Sequence, residues 1–178
     1  MTVVRRAPLL ALSLIGLTIW ATIPAGAATA TAVLLPGQLT ITDAPATVDF
    51  IPSSATDDTQ RFAAQFAIGV TDATGSKAGW NIKANFITPA GADGIALPVR
   101  QSTITSANVT PDTGTAPISL FTYPRPFQTT GDTIFSAAPA SGMGKSRLTF
   151  GADIVLPAAV SGDPLFTTTL VVTVASGP

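Results

Sequence analysis

Apolar and polar residues alternate with a period of two over several stretches of this 178-residue chain. Leu39 and Ile41 alternate with Thr40 and Thr42, and Val48 and Phe50 follow after Ala44-Pro45. Phe62, Ala64, Phe66, Ile68 and Val70 form a long run, and Trp80, Ile82, Ala84 and Phe86 form the next. Leu148, Phe150, Ala152, Ile154 and Leu156 make a second long run, followed by Phe166, Thr168, Leu170, Val172 and Val174. Successive side chains of a strand point to opposite faces, so this period predicts half-buried strands. Asp72 to Gly79 reads as a hairpin loop between two of the runs, and Pro157 to Pro164, with Gly162-Asp163, has a turn composition. The middle, 95–140, is less regular, and short strands are expected near 98–106, 116–122 and 132–137. Outside the N-terminal segment no window long enough for a helix carries a helical period. The prediction is an all-β chain, a two-sheet antiparallel β-sandwich preceded by a helical signal peptide.

The N-terminal segment breaks the pattern. Arg5 and Arg6 precede the apolar stretch Leu9 to Trp20, Pro24 interrupts it, and Ala25-Gly26-Ala27 supplies small residues. That order is the one a signal peptidase recognises, so residues 1–27 are expected to be a leader, with cleavage possible up to 32. An uncleaved anchor is the alternative, but the apolar stretch is short for a bilayer core of about 30 Å. A single domain is expected from 33 to 178.

Composition sharpens this. Charged residues make up 11% of the chain, against roughly 25% in an average soluble protein, and Thr and Ser carry the polar load instead. There is no Cys, no His and no Glu; all ten acidic residues are Asp. The commonest neutral-pH base and the thiolate nucleophile are therefore missing, and packing alone must stabilise the exported domain. Removing Arg5 and Arg6 from nine basic residues leaves seven against ten Asp, a net charge of −3. A nucleic-acid partner would demand a basic face, so none is expected. No later segment could span a membrane as an apolar helix, so no membrane partner is expected after leader cleavage. The chain is read as not an enzyme, with no cofactor and no metal site.

Four stretches resemble the WxL-type surface domains of Gram-positive bacteria, especially the diverged WxL-like proteins. They are Gly37-Gln-Leu-Thr-Ile-Thr-Asp-Ala-Pro45 with Val48-Asp-Phe50, then Val70-Thr-Asp-Ala-Thr-Gly75 with Gly79-Trp80-Asn-Ile82. Ser141-Gly-Met-Gly144 and the ending Thr168 to Pro178 complete the likeness. Gly79-Trp80-Asn-Ile82 matches the first Trp-x-Leu motif with Ile for Leu, whereas the second motif, near the C-terminus, is missing. The resemblance implies a β-sandwich that associates noncovalently with peptidoglycan or another wall polymer outside the cell, and possible contact with other surface proteins.

Trp80 and Ile82 are candidate wall contacts on that basis; the competing reading makes Trp80 a core residue. Phe121-Thr-Tyr123-Pro-Arg125-Pro-Phe127 gathers three aromatics and a cation on a segment stiffened by two prolines. Tyr123 and Arg125 are its candidate exposed contacts, for glycan or protein; the competing reading tucks Phe121 and Phe127 into the core. Gly142-Met-Gly144-Lys145-Ser146 invites a phosphate-loop reading, but position 139 is Pro and a strand pattern follows. Asp112-Thr113-Gly114 matches the short signature of aspartic proteases, yet that chemistry needs two carboxylates sharing a proton. Both are read as turns, and Asp57-Asp58 as a solvated loop rather than a calcium site. The expected function is a structural or binding module at the cell surface. A pilin-like or matrix subunit assembling by strand exchange is the alternative.

Overall fold

The computed structural model describes residues 37–86, 99, 101–127, 131–157 and 166–178. Among these there are nine strands and no helix. In chain order they are β1 Leu39–Asp43, β2 Thr47–Ala55, β3 Thr59–Asp72, β4 Trp80–Phe86, β5 Gln101–Pro111, β6 Arg125–Pro126, β7 Asp132–Ala137, β8 Gly144–Pro157 and β9 Phe166–Ser176. The expected leader, residues 1–27, and the turn after Pro157 lie outside the described residues.

The two longest alternating runs pair with each other. β3 and β8 lie antiparallel in unbroken register from Thr59 opposite Pro157 to Asp72 opposite Gly144. Phe62, Phe66 and Ile68 thereby stand opposite Ile154, Phe150 and Leu148, all on the buried face. Cross-strand pairs of this kind are what stabilise a sheet, and the matched phase of the two runs sets the register. β5 flanks β8 on its other side, with Ile104 and Val109 continuing the apolar face.

All pairings are antiparallel, and the sheet order is β6-β5-β8-β3-β2-β9-β4-β7, with β1 also on β3. The sheet is one continuous surface curled into a half-barrel. β2 makes it continuous by changing partners along its length. Its first part, Thr47–Phe50, pairs with β9, and its second, Ile51–Ala55, pairs with β3. The curl brings the inner faces together: Phe66 meets Phe86 edge-on at 5.6 Å, and Phe150 meets Phe135 at 6.3 Å. Such edge-to-face rings add to the area they bury.

The expected hairpin across Asp72 to Gly79 is not one. β3 pairs with β8, β1 and β2, whereas β4 pairs with β7 and β9, so this loop crosses between the two halves of the sheet. The strand near 132–137 is present as β7. The one near 98–106 extends to Pro111, and the one near 116–122 is reduced to a single bridge between Ser119 and Ala137. β7 carries a bulge where Ile82 and Lys83 meet Phe135 and Thr133. The bulge leaves Ile134 as the extra residue between two pairings, and it and Phe135 are both fully buried although adjacent, so burial does not alternate there.

Candidate functional site

The segment 117–127 ties the two ends of the sheet together. At its start the Leu120 amide donates to the Ser136 carbonyl and the Ala138 amide donates to the Ile118 carbonyl, on the outer edge of β7. At its end, β6 pairs Arg125 with Ile104, and the Phe127 amide donates to the Ser102 carbonyl, on the edge of β5. From Leu120 to Arg125 the backbone can reach about 17 Å at most, so the two edges must lie close, which holds the curl. Midway, the half-buried Tyr123 donates its hydroxyl to the Ile134 carbonyl at 2.7 Å. Burial pushes the Tyr123 phenol above its ordinary pKa; a hydrogen bond with Ser119 and the Arg125 charge act in the opposite direction.

The aromatics of this strap divide their roles. Phe127 is in the core, its ring 5.1 Å from that of Phe86. Phe121 is half-buried and carries the Arg125 guanidinium 3.8 Å above its ring centroid, a cation–π contact. Ile118 and Leu120 stand out on the same strap, 65% and 52% exposed. Of the sequence candidates, Arg125 therefore reaches the surface, while Tyr123 spends its hydroxyl holding the strap to β7.

Trp80 and Ile82 are elsewhere and wholly inside. Both are 0% exposed on β4. The Trp80 indole N–H donates to the Gly142 carbonyl at 3.0 Å, and its ring lies 5.5 Å from Phe135. A polymer outside the sheet cannot touch either side chain, and the packing reading of Trp80 is the one the fold adopts.

Comparison with known protein families, curated proteins and solved structures finds no match for this chain. Its chemistry therefore has to be read from its own residues.

The two motif-like turns pack on each other. The Lys145 amide donates to the Thr113 carbonyl and the Thr115 amide to the Met143 carbonyl. A side chain at Gly114 or Gly144 would run into the backbone of the other turn, so Asp112-Thr113-Gly114 and Gly142-Met143-Gly144 are one interlocked pair of turns. Neither presents a helix start to a phosphate.

A cleft that alternation alone does not reveal lies on the outer face. It has a volume of about 870 Å³ and runs across β3 and β8, between the stretch Asp43–Ser53 and the bulge of β5. Gln65, Thr105, Ser106 and Gly151 line it together with Asp43, Arg147 and Asp153. Two ion pairs flank it: Arg147 with Asp43 at 3.2 Å, and Arg61 with Asp153 at 2.9 Å. The sequence signal was a glycine in each of two strands, Gly69 and Gly151, since a glycine inside a strand marks a bulge or close approach. In both strands it stands opposite a bulge.

Proposed function

We propose that this chain is an exported, non-enzymatic cell-surface module that associates noncovalently with a wall polymer, peptidoglycan in the first place. In this reading residues 1–27 are the removed leader, and the two halves of the curled sheet act as the layers of a sandwich. The observation that carries it is the strap, where Ile118 and Leu120 stand exposed beside Arg125 stacked on Phe121. Two of the four large exposed apolar side chains among the described residues, Ile118 and Leu120, stand two positions apart on this one loop, which suits a contact surface. The two ends of the strap are already fixed, so little conformational freedom has to be lost on binding. A guanidinium held over a ring can still offer N–H donors to carboxylates, which the stem peptides of peptidoglycan carry. The absence of His, Cys and Glu from the whole sequence supports a binding role over a catalytic one.

The test is sedimentation of the purified chain with insoluble peptidoglycan at modest salt. The chain is expected in the pellet, and the Ile118→Asp/Leu120→Asp variant in the supernatant. If the unaltered chain stays wholly in the supernatant, wall binding is wrong.

One observation favours a second reading, assembly by strand exchange. β6 covers β5 only at Thr103 and Ile104, and among the described residues no strand pairs with the outer edge of β5 from Ser106 to Pro111. An open edge of that length can accept a strand from a neighbour. A strict monomer at high concentration in size-exclusion chromatography counts against it.

A further inference from the structure

The open edge of β5 carries backbone groups whose directions are fixed from both ends of the strand. The Ser102 carbonyl accepts the Phe127 amide, so at Ser102 the backbone groups point away from β8. The Asp112 amide donates to the Lys145 carbonyl, so at Asp112 they point toward β8. Successive residues of an antiparallel strand alternate in this respect, and the bulge between Ile104 and Ser106 shifts the phase by one residue. The two ends then agree: Ala107, Val109 and Pro111 direct their backbone groups outward. A proline suits the last of these, because within a sheet it is confined to positions whose N–H would face away from the ladder. Among the described residues no backbone group bonds to Ala107 or Val109 from the outer side.

No charge on this strand repels a neighbour. Gln101–Pro111 contains no ionisable side chain, whereas natural edges are commonly guarded by lysines or other charges. The opposite edge strand, β7, contains Asp132, and the strap covers it through Ile118, Ser119 and Leu120. On β5 the guarding features, a bulge and Pro111, stand only at the two ends of the open stretch. Asn108 and Thr110 between them are exposed, and Ala107 and Val109 pack partly buried against the core. The stretch is therefore neutral, with an apolar inner face and a polar outer one, and an antiparallel copy of itself would match both.

We infer that β5 of a second copy pairs with this edge, antiparallel, about a two-fold axis beside Asn108. In that register Ala107 stands opposite Val109 of the second copy, and the two exchange both backbone bonds, so every N–H and C=O of these residues is used. An axis beside Val109 would set Ala107 opposite Pro111, which has no N–H to give, and the Ala107 carbonyl would go unmet. An axis beside Ala107 would set Val109 opposite Thr105, the extra residue of the bulge. On the inner face Ala107 lies beside Val109 of the second copy. On the outer face the two Asn108 amides meet, each able to donate and accept. Such a contact is isologous and closes at two copies. It is short, below the area of a stable interface, so the dimer is weak and exchanging. The pairing rests on the assembly reading of this edge and names its occupant.

Disulfide cross-linking tests it in a chain that has no cysteine of its own. The two copies of residue 108 would form a pair without ladder bonds, with Cα atoms about 4.5 Å apart, within reach of a disulfide. The two copies of residue 110 would be offset by about 13 Å along the strands, which is too far. Under mild oxidation Asn108→Cys should form a covalent dimer at least about tenfold faster than Thr110→Cys, an exposed control on the same face. Like charges directly opposite oppose pairing, so Asn108→Lys should weaken self-association about fivefold in sedimentation velocity, and mixing it with Asn108→Asp should restore it. Equal cross-linking at 108 and 110 would overturn the pairing, as would association indifferent to charge at 108. A chain that still associates in that case leaves exchange of another strand standing, whereas a strict monomer at millimolar concentration overturns both.

Discussion

Gly142→Ala separates backbone preference from packing at Trp80. Gly142 has a φ of +73°, and its carbonyl accepts the indole N–H at 3.0 Å. A methyl group there would lie 2.7 Å from Trp80 Nε1 and 3.0 Å from Pro117 Cβ. The indole has no room to retreat, since it is 0% exposed with the Phe135 ring beside it. The left-handed backbone costs a non-glycine residue about 1 kcal/mol. Forcing a methyl into a packed interior adds roughly 1–3 kcal/mol, giving a loss of about 2–4 kcal/mol. Gly75 is the control, with a φ of +67° and nothing within 4 Å of a Cβ. Gly75→Ala should therefore lose only the backbone part, about 1 kcal/mol. Urea unfolding in a Trp20→Phe background, read by the emission of Trp80, measures both. The expected gap between them is about 2 kcal/mol, at an unchanged slope with denaturant. Equal losses would show that the indole is not held against Gly142, and the scaffold role of Trp80 would fall with it.

Three further outcomes follow from particular contacts. Burial raises the Tyr123 phenol above its ordinary 10.0, so the unfolded chain gives up its proton first. The corresponding stability is intact below the unfolded value and is lost as pH climbs through the folded one. Tyr123 is the sole tyrosine, so phenolate absorbance reads it alone; a midpoint at or below 10.0 would refute the burial, and Tyr123→Phe should lose this alkaline destabilisation. Phe66 lies 5.3 Å from Phe150 and 5.6 Å from Phe86, so Phe66→Ala should cost about 3–5 kcal/mol in urea unfolding. A loss under about 1 kcal/mol would mean that the facing halves of the sheet are not packed. The Arg61–Asp153 pair is partly solvated, with side chains 48% and 18% exposed. Asp153→Asn should cost at most about 1 kcal/mol, less as salt is added, in the same unfolding measurement.

The strand content was legible because its signal is local. Side chains of a strand alternate between faces whatever the partner, so Phe62 to Val70 and Leu148 to Leu156 declared themselves without knowledge of each other. Their pairing was not local. Nothing near Asp72 says whether the chain turns back on itself or crosses over, and the expected hairpin failed because β3 pairs with β8 while β4 pairs with β9 in the other half of the sheet. The strand over 132–137 was legible as β7, but the bulge at Ile134 was not, because a bulge is defined against the partner strand.

The candidate sites divide along the same line. The sequence by itself determined the strand-forming pattern, the reactive groups the chain lacks, and the unusual character of 121–127, because each depends only on which residues are present and in what order. Tertiary structure alone decided that Trp80 and Ile82 are interior, that Arg125 lies over Phe121, and that Gln65, Ser106 and Gly151 share one cleft. Those three come from separate strands, and side chains distant along the chain become neighbours only when register and curl are fixed. Burial and proximity are properties of the packed sheet, not of any single strand within it.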